Sequence, residues 1–451
     1  MKESHIDSIP FKAWHSRIDK STQTLILEIV DKIANYLNDP SNVEMSAKIA
    51  AKQSDFYQWN PPSLASGLGG IVLLFVYLYR TTEEEKWLVA ARRFMSLAAQ
   101  GTHQYPLATP SAFGGSAGFA SILDQISRDE NRYSHTLETF NAKVAMQVIE
   151  REWVRPQHGV ADSDYDAING AAGILGYLIN IPSPTSIVQD AIQKLLAYLI
   201  YLADQDDEIH RRWFISPDLF PPVDRYHKEY PQGYFNCGLA HGITGPLASL
   251  SLAWREGYRI SGQREAIFSV GQWLINRQAK DDYGIGWPAG IPLEMELDQF
   301  QNCSLRITRD GWCYGTPGVS RALWLAGNAI DDKSFRDIAI QGIESVLHRP
   351  ITNRNIDSPT ICHGISGLLM ICLRFSHEVE NSLVEEHISK LVHQILNLFQ
   401  PDLPLGFRDE EKPNVFVDDP GLLTGTTGVL LALLAAATQI EPKWDRTFLI
   451  A

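Results

Sequence analysis

The chain has 451 residues, of which 45% are hydrophobic, and its 39 Lys and Arg against 53 Asp and Glu give a formal net charge of −14. The apolar content is sufficient for a sizeable buried core, while the acidic balance argues against general nucleic-acid binding and favours cationic partners. A chain of this length usually forms two or three domains unless it is one array of repeats.

The amino-terminal residues 1–60 contain one helical pattern, at residues 21–37, and are interpreted as an N-terminal helical region. The first seven residues, MKESHID, lack the apolar core of a secretory signal peptide. Five cysteines, an odd number, argue against a disulfide framework. These features predict a cytoplasmic protein whose thiols stay reduced.

A Gly-x-x-Gly motif followed by an apolar stretch recurs along the rest of the chain. The first glycines of its seven copies are Gly67, Gly115, Gly170, Gly242, Gly315, Gly364 and Gly425. The intervals between copies are longer than one helix needs and suit two helices with their loops. The pattern therefore predicts about seven helix pairs within residues 61–451.

The helices predicted between these motifs are of two kinds. Those that directly follow a motif, such as residues 174–178 and 368–373, are apolar nearly all round and must be buried on every side. The others carry an apolar stripe on one face, and the clearest stripes are Trp87, Leu88, Ala91, Phe94, Met95 and Ala98; Ala266, Ile267, Val270, Trp273 and Leu274; and Phe335, Ile338, Ala339, Ile343, Val346 and Leu347. This alternation predicts two concentric layers, with the one-sided helices outside.

The ends of the repeat array favour a closed ring over an open superhelix. An open array needs polar capping repeats at both ends, yet the last unit, residues 422–440, is among the most apolar in the chain. We therefore predict an all-α fold, a double-layered α/α toroid whose glycine loops converge on one rim. Two long intervals, at residues 204–233 and 281–309, are predicted to be insertions near this rim that shape substrate access.

Residues 421–440 carry no charge and are long enough to span a bilayer. They also contain four threonines, a glutamine and the seventh glycine motif, which favour a buried inner helix. We therefore expect no transmembrane segment.

Three soft metal ligands occupy the same phase of the repeat. Cys313 lies two residues before Gly315, and the pair Cys362 and His363 directly precedes Gly364. Two thiolates and one imidazole suit tetrahedral zinc with one open position, as in catalytic zinc sites. The alternatives are buried apolar cysteines beside a hydrogen-bonded loop histidine, or a purely structural zinc. The shared phase favours one catalytic zinc ion per chain.

Several other polar residues lie at or near the same loops. His241 directly precedes the fourth motif and is a candidate fourth ligand or general acid/base. Asp166, four residues before the third motif, would orient His241 or cap a helix, and Asp164 competes for that assignment. Arg309 either forms a surface ion pair with the aspartate that follows it or faces developing negative charge. Cys237, one helical turn before His241, is a rival ligand or a small core residue.

Three motifs resemble those of the lanthionine synthetase C-like family, close to its stand-alone lanthipeptide cyclases. They are residues 240–242 (AHG), 309–318 (RDGWCYGTPG) and 362–367 (CHGISG), together with the seven glycine units. The resemblance runs from about residue 63 to the end of the chain and implies an α/α toroid. It also implies zinc ligands at Cys313, Cys362 and His363, a catalytic histidine and aspartate at His241 and Asp166, and an active-site arginine and tyrosine at Arg309 and Tyr314. Cys237 departs from the aliphatic residue that is more usual in its motif.

The reaction implied by this resemblance is the intramolecular Michael addition of a peptide cysteine thiol to dehydroalanine or dehydrobutyrine, which closes a (methyl)lanthionine thioether ring. The substrate would be a dehydrated precursor peptide. The expected partners are a dehydratase and a transporter of the same pathway, with the chain held peripheral to the membrane through that complex. Two alternatives stay open: a glutathione- or prenyl-type zinc thiol transferase, and a non-catalytic peptide-binding scaffold of a biosynthetic complex.

Overall fold

The computed structural model describes residues 13–153, 159–204, 212–223, 225–298 and 305–451. Its helices are, in chain order, α1 (Lys20–Leu37), α2 (Pro40–Gln53), α3 (Leu68–Thr82), α4 (Glu85–Gly101), α5 (Ser116–Ser127), α6 (Ser134–Glu150), α7 (Asp162–Tyr165), α8 (Ala171–Leu178), α9 (Ser186–Ala203), α10 (Arg225–Glu229), α11 (Thr244–Arg255), α12 (Gln263–Ile275), α13 (Leu293–Leu297), α14 (Thr316–Ile330), α15 (Lys333–His348), α16 (Ile365–Glu378), α17 (Ser382–Asn397) and α18 (Thr426–Ala437). Its short strands are β1 (Tyr234–Asn236), β2 (Ala279–Asp281), β3 (Gly284–Gly286), β4 (Gly290–Pro292), β5 (Asp409–Lys412) and β6 (Val415–Val417).

The helices that follow the glycine motifs form the inner layer, which consists of α3, α5, α8, α11, α14, α16 and α18. The first glycine of the motif directly precedes the helix in every unit except the fourth, where α11 begins two residues after Gly242. Most of α3 is buried, and every residue of α18 is buried. The prediction of helices buried on all sides is confirmed.

In every unit except the first, the second glycine of the motif lets the inner helix pass close to its own loop. A Cβ atom at Gly173 would lie 2.0 Å from the carbonyl oxygen of Ala167, and one at Gly367 would lie 2.1 Å from that of Ile361. Both carbonyls belong to the residue three positions before the first glycine. A side chain at this position would push the helix away from the rim, which explains why the repeat keeps a glycine there.

Backbone hydrogen bonds join the fourth, fifth, sixth, seventh and first glycine loops in turn around the rim, at the residue two positions before each of these motifs. The amide of Ala240 donates to the carbonyl of Cys313 (3.2 Å), and the amide of Cys313 donates to that of Cys362 (3.1 Å). The amide of Cys362 donates in turn to the carbonyl of Leu423 (3.0 Å). Finally, the amide of Leu423 donates to the carbonyl of Ala65 (3.2 Å), so the seventh loop meets the first. The ring is closed, and the predicted toroid is confirmed.

The outer layer consists of α4, α6, α9, α12, α15 and α17, with α1 as its seventh member. The stripes predicted on α4, α12 and α15 are buried, apart from Ile338, which is half-buried. α1 packs against α18, and just before it the indole N–H of Trp14 donates to the carbonyl of Ala435 (2.9 Å). The amino-terminal helix therefore completes the last helix pair of the ring. The division of the chain after residue 60 stays a prediction.

The helix α2 is absent from the sequence prediction for residues 1–60. Asp39 accepts a hydrogen bond from the amide of Ser41 (2.9 Å), and Pro40 occupies the first helical position. Both features are signals of a helix start. The buried face of α2 is narrow and consists of Val43, Ser46, Ala47 and Ala50. Because three of these side chains are small, the apolar period alone did not reveal the helix.

The carboxyl-terminal tail plugs the centre of the inner ring. Its 3-10 turn (Lys443–Phe448) contacts α5 and α8, and the carbonyl of Phe448 accepts the indole N–H of Trp312 (3.0 Å). From another side of the ring, Arg374 of α16 donates to the buried carboxylate of Asp445 (2.7 Å). The tail thus ties together inner helices that are distant in sequence.

The two rim insertions carry short strands and helices in addition to loops. β1, which follows the first insertion, pairs antiparallel with β4 of the second, so that Tyr234 lies opposite Pro292. β2 and β3 form a hairpin, α10 lies in the first insertion and α13 in the second. Residues 205–211, 224 and 299–304 of the predicted insertions lie outside the described residues. The two insertions therefore meet beside the fourth glycine loop.

No helix in the described part of the chain is both long enough and apolar enough to cross a membrane. The uncharged residues 421–440 contain α18, which has 12 residues and is surrounded by α1, α3, α16 and α17. The prediction that this stretch forms a buried inner helix is confirmed.

Candidate active site

Cys313 and Cys362 come together because they occupy the same position in adjacent repeat loops. Their backbones are hydrogen-bonded, and their thiols lie within hydrogen-bond reach of each other. The hydrogen bond from Cys362 lowers the pKa of Cys313 to about 6 against the effect of burial, and the positive charges of His363 and Arg309 act in the same direction. The same contact and burial raise the pKa of Cys362. The pair therefore favours one thiolate sulfur near neutral pH, which is the metal-binding form.

His363, which follows Cys362, is held by a carboxylate from a distant part of the chain. Its Nε2–H donates to Oδ1 of Asp409 (3.0 Å), and the hydroxyl of Ser358 donates to the same oxygen (2.6 Å). Burial lowers the pKa of His363, but the hydrogen bond and charge of Asp409 outweigh it and raise the pKa above its ordinary value. Because Nε2 is occupied, Nδ1 is the nitrogen left for another partner.

The donors around the cysteine pair fit zinc in their chemistry. Two thiols in contact, one of them inclined to ionise, and an imidazole whose Nδ1 has no hydrogen bond to a described residue form the sulfur and nitrogen set that zinc prefers. The contact between His363 and Asp409 matches the carboxylate support common for zinc-binding histidines. Within the described ranges, however, no three His, Cys, Asp or Glu side chains are close enough together to hold a metal ion. The chemistry fits, whereas a closed coordination geometry is not formed.

Asp166 follows the short helix α7, and one of its carboxylate oxygens binds backbone amides while the other binds His241. Its Oδ1 accepts hydrogen bonds from the amides of Asn169 (2.6 Å) and Gly170 (2.7 Å), just before α8. Its Oδ2 accepts from Nδ1–H of His241 (2.6 Å). Asp166 is fully buried, so this geometry is tightly constrained. Of the two interpretations that the sequence left open, orientation of His241 describes this residue. Helix capping does not, because the N-cap of α8 is Gly170, without a side-chain cap, and the amides that Asp166 binds precede the helix.

His241 combines a charged partner with access from outside. Burial lowers its pKa, but the hydrogen bond to Asp166 and the charges of Asp166, Asp162 and Cys313 outweigh it and hold the pKa above its ordinary value. Its side chain is nevertheless 35% exposed. Nδ1 is tied to Asp166, so Nε2 is the nitrogen that a substrate can reach. The arrangement suits a general acid/base better than a metal ligand.

Asp164, the competing candidate, is not the partner of His241. Its carboxylate pairs with Arg151 (3.1 Å) and accepts from the amide of Ala161 (3.3 Å). Asp162, which the sequence did not single out, lies within electrostatic reach of His241, and burial raises its pKa. A second acidic group therefore stands near the imidazole without holding it.

Tyr314, the residue after Cys313, connects the fifth glycine loop to the fourth. Its ring centroid lies 6.3 Å from that of His241, and its hydroxyl accepts a hydrogen bond from Nδ2 of Asn236 (3.3 Å). Burial is the main reason that its pKa is raised well above the ordinary value. The hydroxyl is therefore neutral and fixed in position by the buried amide.

Arg309 lies on the same glycine loop as Tyr314, and the chain turns sharply at Gly315. Gly315 has φ = +101°, and a Cβ atom there would lie 1.5 Å from the carbonyl oxygen of Arg309. The predicted alternative of an ion pair with Asp310 is wrong, because Asp310 is buried and bound by Arg349 (2.6 Å). The guanidinium of Arg309 makes no hydrogen bond or ion pair among the residues that the structure describes. It is available for an anionic group.

Neither Cys237 nor Cys372 joins the pair. Cys237 is fully buried, donates weakly to the carbonyl of Phe235 (3.7 Å) and has its pKa raised by burial. The charged groups that act on it are Arg277 and Glu296, which supports the interpretation as a small core residue. Cys372 is buried inside α16, and Cys303 lies outside the described residues.

A family model described as lanthionine synthetase C-like protein matches residues 58–449. The chain belongs to this family. It is 26% identical over 363 residues to the nisin biosynthesis protein NisC of Lactococcus lactis subsp. lactis. The aligned segment covers 79% of this chain and 84% of that protein. A solved structure of nisin cyclase shares the fold, with a TM-score of 0.75 and 24% identity over 91% of this chain and 97% of that one.

Sequence reasoning on this lanthionine synthetase C-like chain missed Asp409, Asp162 and Asn236. Asp409 opens the sequence DEEK of β5, which is typical of a solvated hairpin and gave no signal. For Asn236 a signal existed: it stands six residues before its motif glycine, where Ser358 and Asp419 stand in the sixth and seventh units. Asn236, Ser358 and Asp419 are all buried polar residues. In the fourth, sixth and seventh units, this repeat position therefore carries a buried polar group.

Proposed function

We propose that this chain is a lanthipeptide cyclase, which adds a peptide cysteine thiol to dehydroalanine or dehydrobutyrine and so forms (methyl)lanthionine rings. The observation that supports it most is that adjacent glycine loops hold the His241–Asp166 pair beside the Cys313–Cys362 pair. Addition across a double bond needs a nucleophilic sulfur at one carbon and a proton donor at the other. The site offers groups suited to both tasks, and membership of the family points the same way.

The proposal includes one zinc ion per chain, with Cys313, Cys362 and Nδ1 of His363 as the residues that would hold it. Bound there, zinc would deprotonate a substrate thiol and keep it as a nucleophilic thiolate. Asp409 supports this assignment, because it fixes the ring of His363 through the other nitrogen.

The remaining chemistry falls to the side chains of the protein. As the substrate sulfur bonds to the β-carbon, the π electrons move toward the α-carbon and its carbonyl oxygen and give an enolate. The guanidinium of Arg309, which has no partner in the described ranges, is suited to stabilise that charge. His241, protonated and oriented by Asp166, then delivers a proton from Nε2 to the α-carbon. One proton leaves the thiol and one arrives at carbon, so the product is an isomer of the substrate.

A cyclase of this kind needs a peptide whose serines or threonines have already lost water. The proposal therefore includes a separate dehydratase that acts before it. The transporter partner, the cytoplasmic location and the peripheral association with a membrane stay predictions from the sequence.

Incubation with a dehydrated, cysteine-containing peptide tests this function. We expect the free thiols to disappear with no change in peptide mass, as read by thiol alkylation followed by mass spectrometry. His241→Ala in the same assay should leave the thiols alkylatable. Transfer of glutathione or a prenyl group, when these are supplied, would replace the proposal by a thiol transferase. Peptide binding with every thiol left intact would replace it by a scaffold.

A further inference from the structure

Four aromatic side chains from the first rim insertion and β1 form a continuous cluster, called here the aromatic wall: Phe220, Tyr226, Tyr230 and Tyr234. The rings of Tyr230 and Tyr234 are stacked with centroids 4.4 Å apart. Tyr226 lies 5.7 Å from Tyr234, and Phe220 lies 5.6 Å from it. Tyr234 is buried, whereas the other three are half-buried. Three of the four residues of the wall therefore keep part of their surface accessible.

The backbone fixes the wall from two sides. The amide of Tyr234 donates to the carbonyl of Ile215 (3.0 Å), and Tyr234 pairs with Pro292 in the β1–β4 ladder. Tyr226 and Tyr230 lie one helical turn apart, linked by a 2.8 Å backbone hydrogen bond. Between them and β1 the chain turns at Gly233, whose φ of +99° suits glycine. Such a frame can hold ring faces in fixed positions.

The wall is continuous with the proposed catalytic groups. The buried amide of Asn236 donates to the hydroxyls of both Tyr234 (3.4 Å) and Tyr314 (3.3 Å). Tyr314 in turn lies beside Cys313 and faces His241. Asp162 acts electrostatically on both Tyr234 and His241. A peptide held at His241 would therefore extend along the wall.

We propose that the aromatic wall binds an apolar side chain of the substrate peptide next to the reacting residues, and that it selects which peptide segments are cyclised. This inference rests on the proposed function for the identity of the peptide. An apolar occupant fits better than a cationic one, because Arg225 already covers the ring of Tyr226, 5.2 Å from its centroid. The partly open rings gain most from contacts that remove apolar surface from water.

Binding measurements separate this inference from the cyclase chemistry. The probes are two fluorescent dehydrated peptides in which the cysteine is replaced by serine, so that no ring can form. One carries leucine beside the reacting position and the other carries serine there. We expect the protein to bind the leucine peptide about tenfold more tightly, as measured by fluorescence anisotropy.

Variants of the wall should remove this preference. In Tyr226→Ala the two dissociation constants should become nearly equal, whereas Tyr226→Leu, which keeps apolar surface and the fold, should retain the preference. Phe268→Ala is the matched control, because Phe268 is an exposed aromatic residue on the outer helix α12. An equal affinity of the parent for both peptides, or an unchanged preference in Tyr226→Ala, overturns the proposal. If the preference follows this pattern while the cysteine peptides are not cyclised, the wall stands and the proposed reaction fails.

Discussion

Two histidines occupy the same position of the repeat, directly before the first glycine, and each is hydrogen-bonded to a buried carboxylate. His241 donates from Nδ1 to Asp166 (2.6 Å), whereas His363 donates from Nε2 to Asp409 (3.0 Å). The first histidine keeps Nε2, at the far end of its ring, for other partners. The second keeps Nδ1, which lies close to its own backbone. The same repeat position thus leaves the ring nitrogen farther from the backbone available in His241 and the one closer to the backbone available in His363.

The residue before each histidine is the basis for proposing different functions for the two loops. Cys362 precedes His363 and meets Cys313 of the adjacent loop, whereas Ala240 precedes His241 and offers no ligand. A nitrogen close to the backbone suits a shared site with these two sulfurs. A nitrogen at the end of the ring suits a substrate that lies above the rim. We therefore expect damage to the two loops to have separable effects.

The largest effect is expected for Cys313→Ala, in the loop that carries one of the proposed sulfur ligands. This change removes the more acidic thiol of the pair, so that both zinc binding and cyclisation should be lost. Elemental analysis should find about one zinc per chain in the parent and little in the variant. Cys237→Ala is the matched control and should keep its zinc, since Cys237 faces the core. Zinc retained at the parent level in Cys313→Ala contradicts the ligand assignment.

His241→Ala, which removes the proposed proton donor, should keep its zinc. Its cyclisation rate should fall about a hundredfold to ten-thousandfold, the usual contribution of a general acid or base. The rate of thiol loss from a dehydrated peptide measures this directly. His393→Ala, on the exposed face of α17, should behave like the parent. A variant of His241 that loses zinc together with activity would make this residue a ligand, and the contrast between the loops would disappear.

The contrast also shows what sequence reasoning can reach. Because the ring is built from equivalent loops, the phase of Cys313 and Cys362 was enough to predict that they meet. The phase of His241 placed it on the same rim for the same reason. The partner of His363 could not be found in this way, because Asp409 comes from a hairpin outside the repeat. Contacts set by the repeat follow from spacing, whereas contacts set by insertions depend on the path of the chain.

The tail illustrates the second case. Lys443–Phe448 plugs the ring through contacts such as the Trp312 indole with the carbonyl of Phe448. Nothing in the sequence of this short segment indicates a position at the ring centre, because it lies beyond the last motif. The closed ring was predictable, but the element that fills its centre was not.

The two carboxylates should respond differently to the same change. Asp409→Asn weakens the support of a proposed zinc ligand, so zinc affinity should fall about tenfold to a hundredfold. Asp166→Asn should leave zinc affinity at the parent value, because its partner is the proposed proton donor. Competition with a chromophoric chelator measures both variants under one condition. Equal losses of zinc affinity in the two variants would show that the loops are not divided in this way.

The smallest effect concerns pH. His241 must be protonated to donate, and Asp166 holds its pKa above the ordinary value against the effect of burial. Activity should therefore be present below this raised pKa and fall as the pH rises through it. In Asp166→Asn the neutral amide no longer favours the imidazolium, so burial dominates. The alkaline limb of kcat/KM should then move to lower pH by about one unit or more.

Stability should show the same sign as activity. A pKa raised on folding contributes stability that is fully present below the unfolded value of the histidine and is lost as pH rises through the folded value. The melting temperature of the parent should therefore lose part of its advantage over Asp166→Asn between mildly acidic and alkaline pH. His363 does not affect this comparison, since both proteins keep His363 and Asp409 unchanged. If the alkaline limb of kcat/KM stays in place in Asp166→Asn, the proton that reaches the α-carbon does not come from His241.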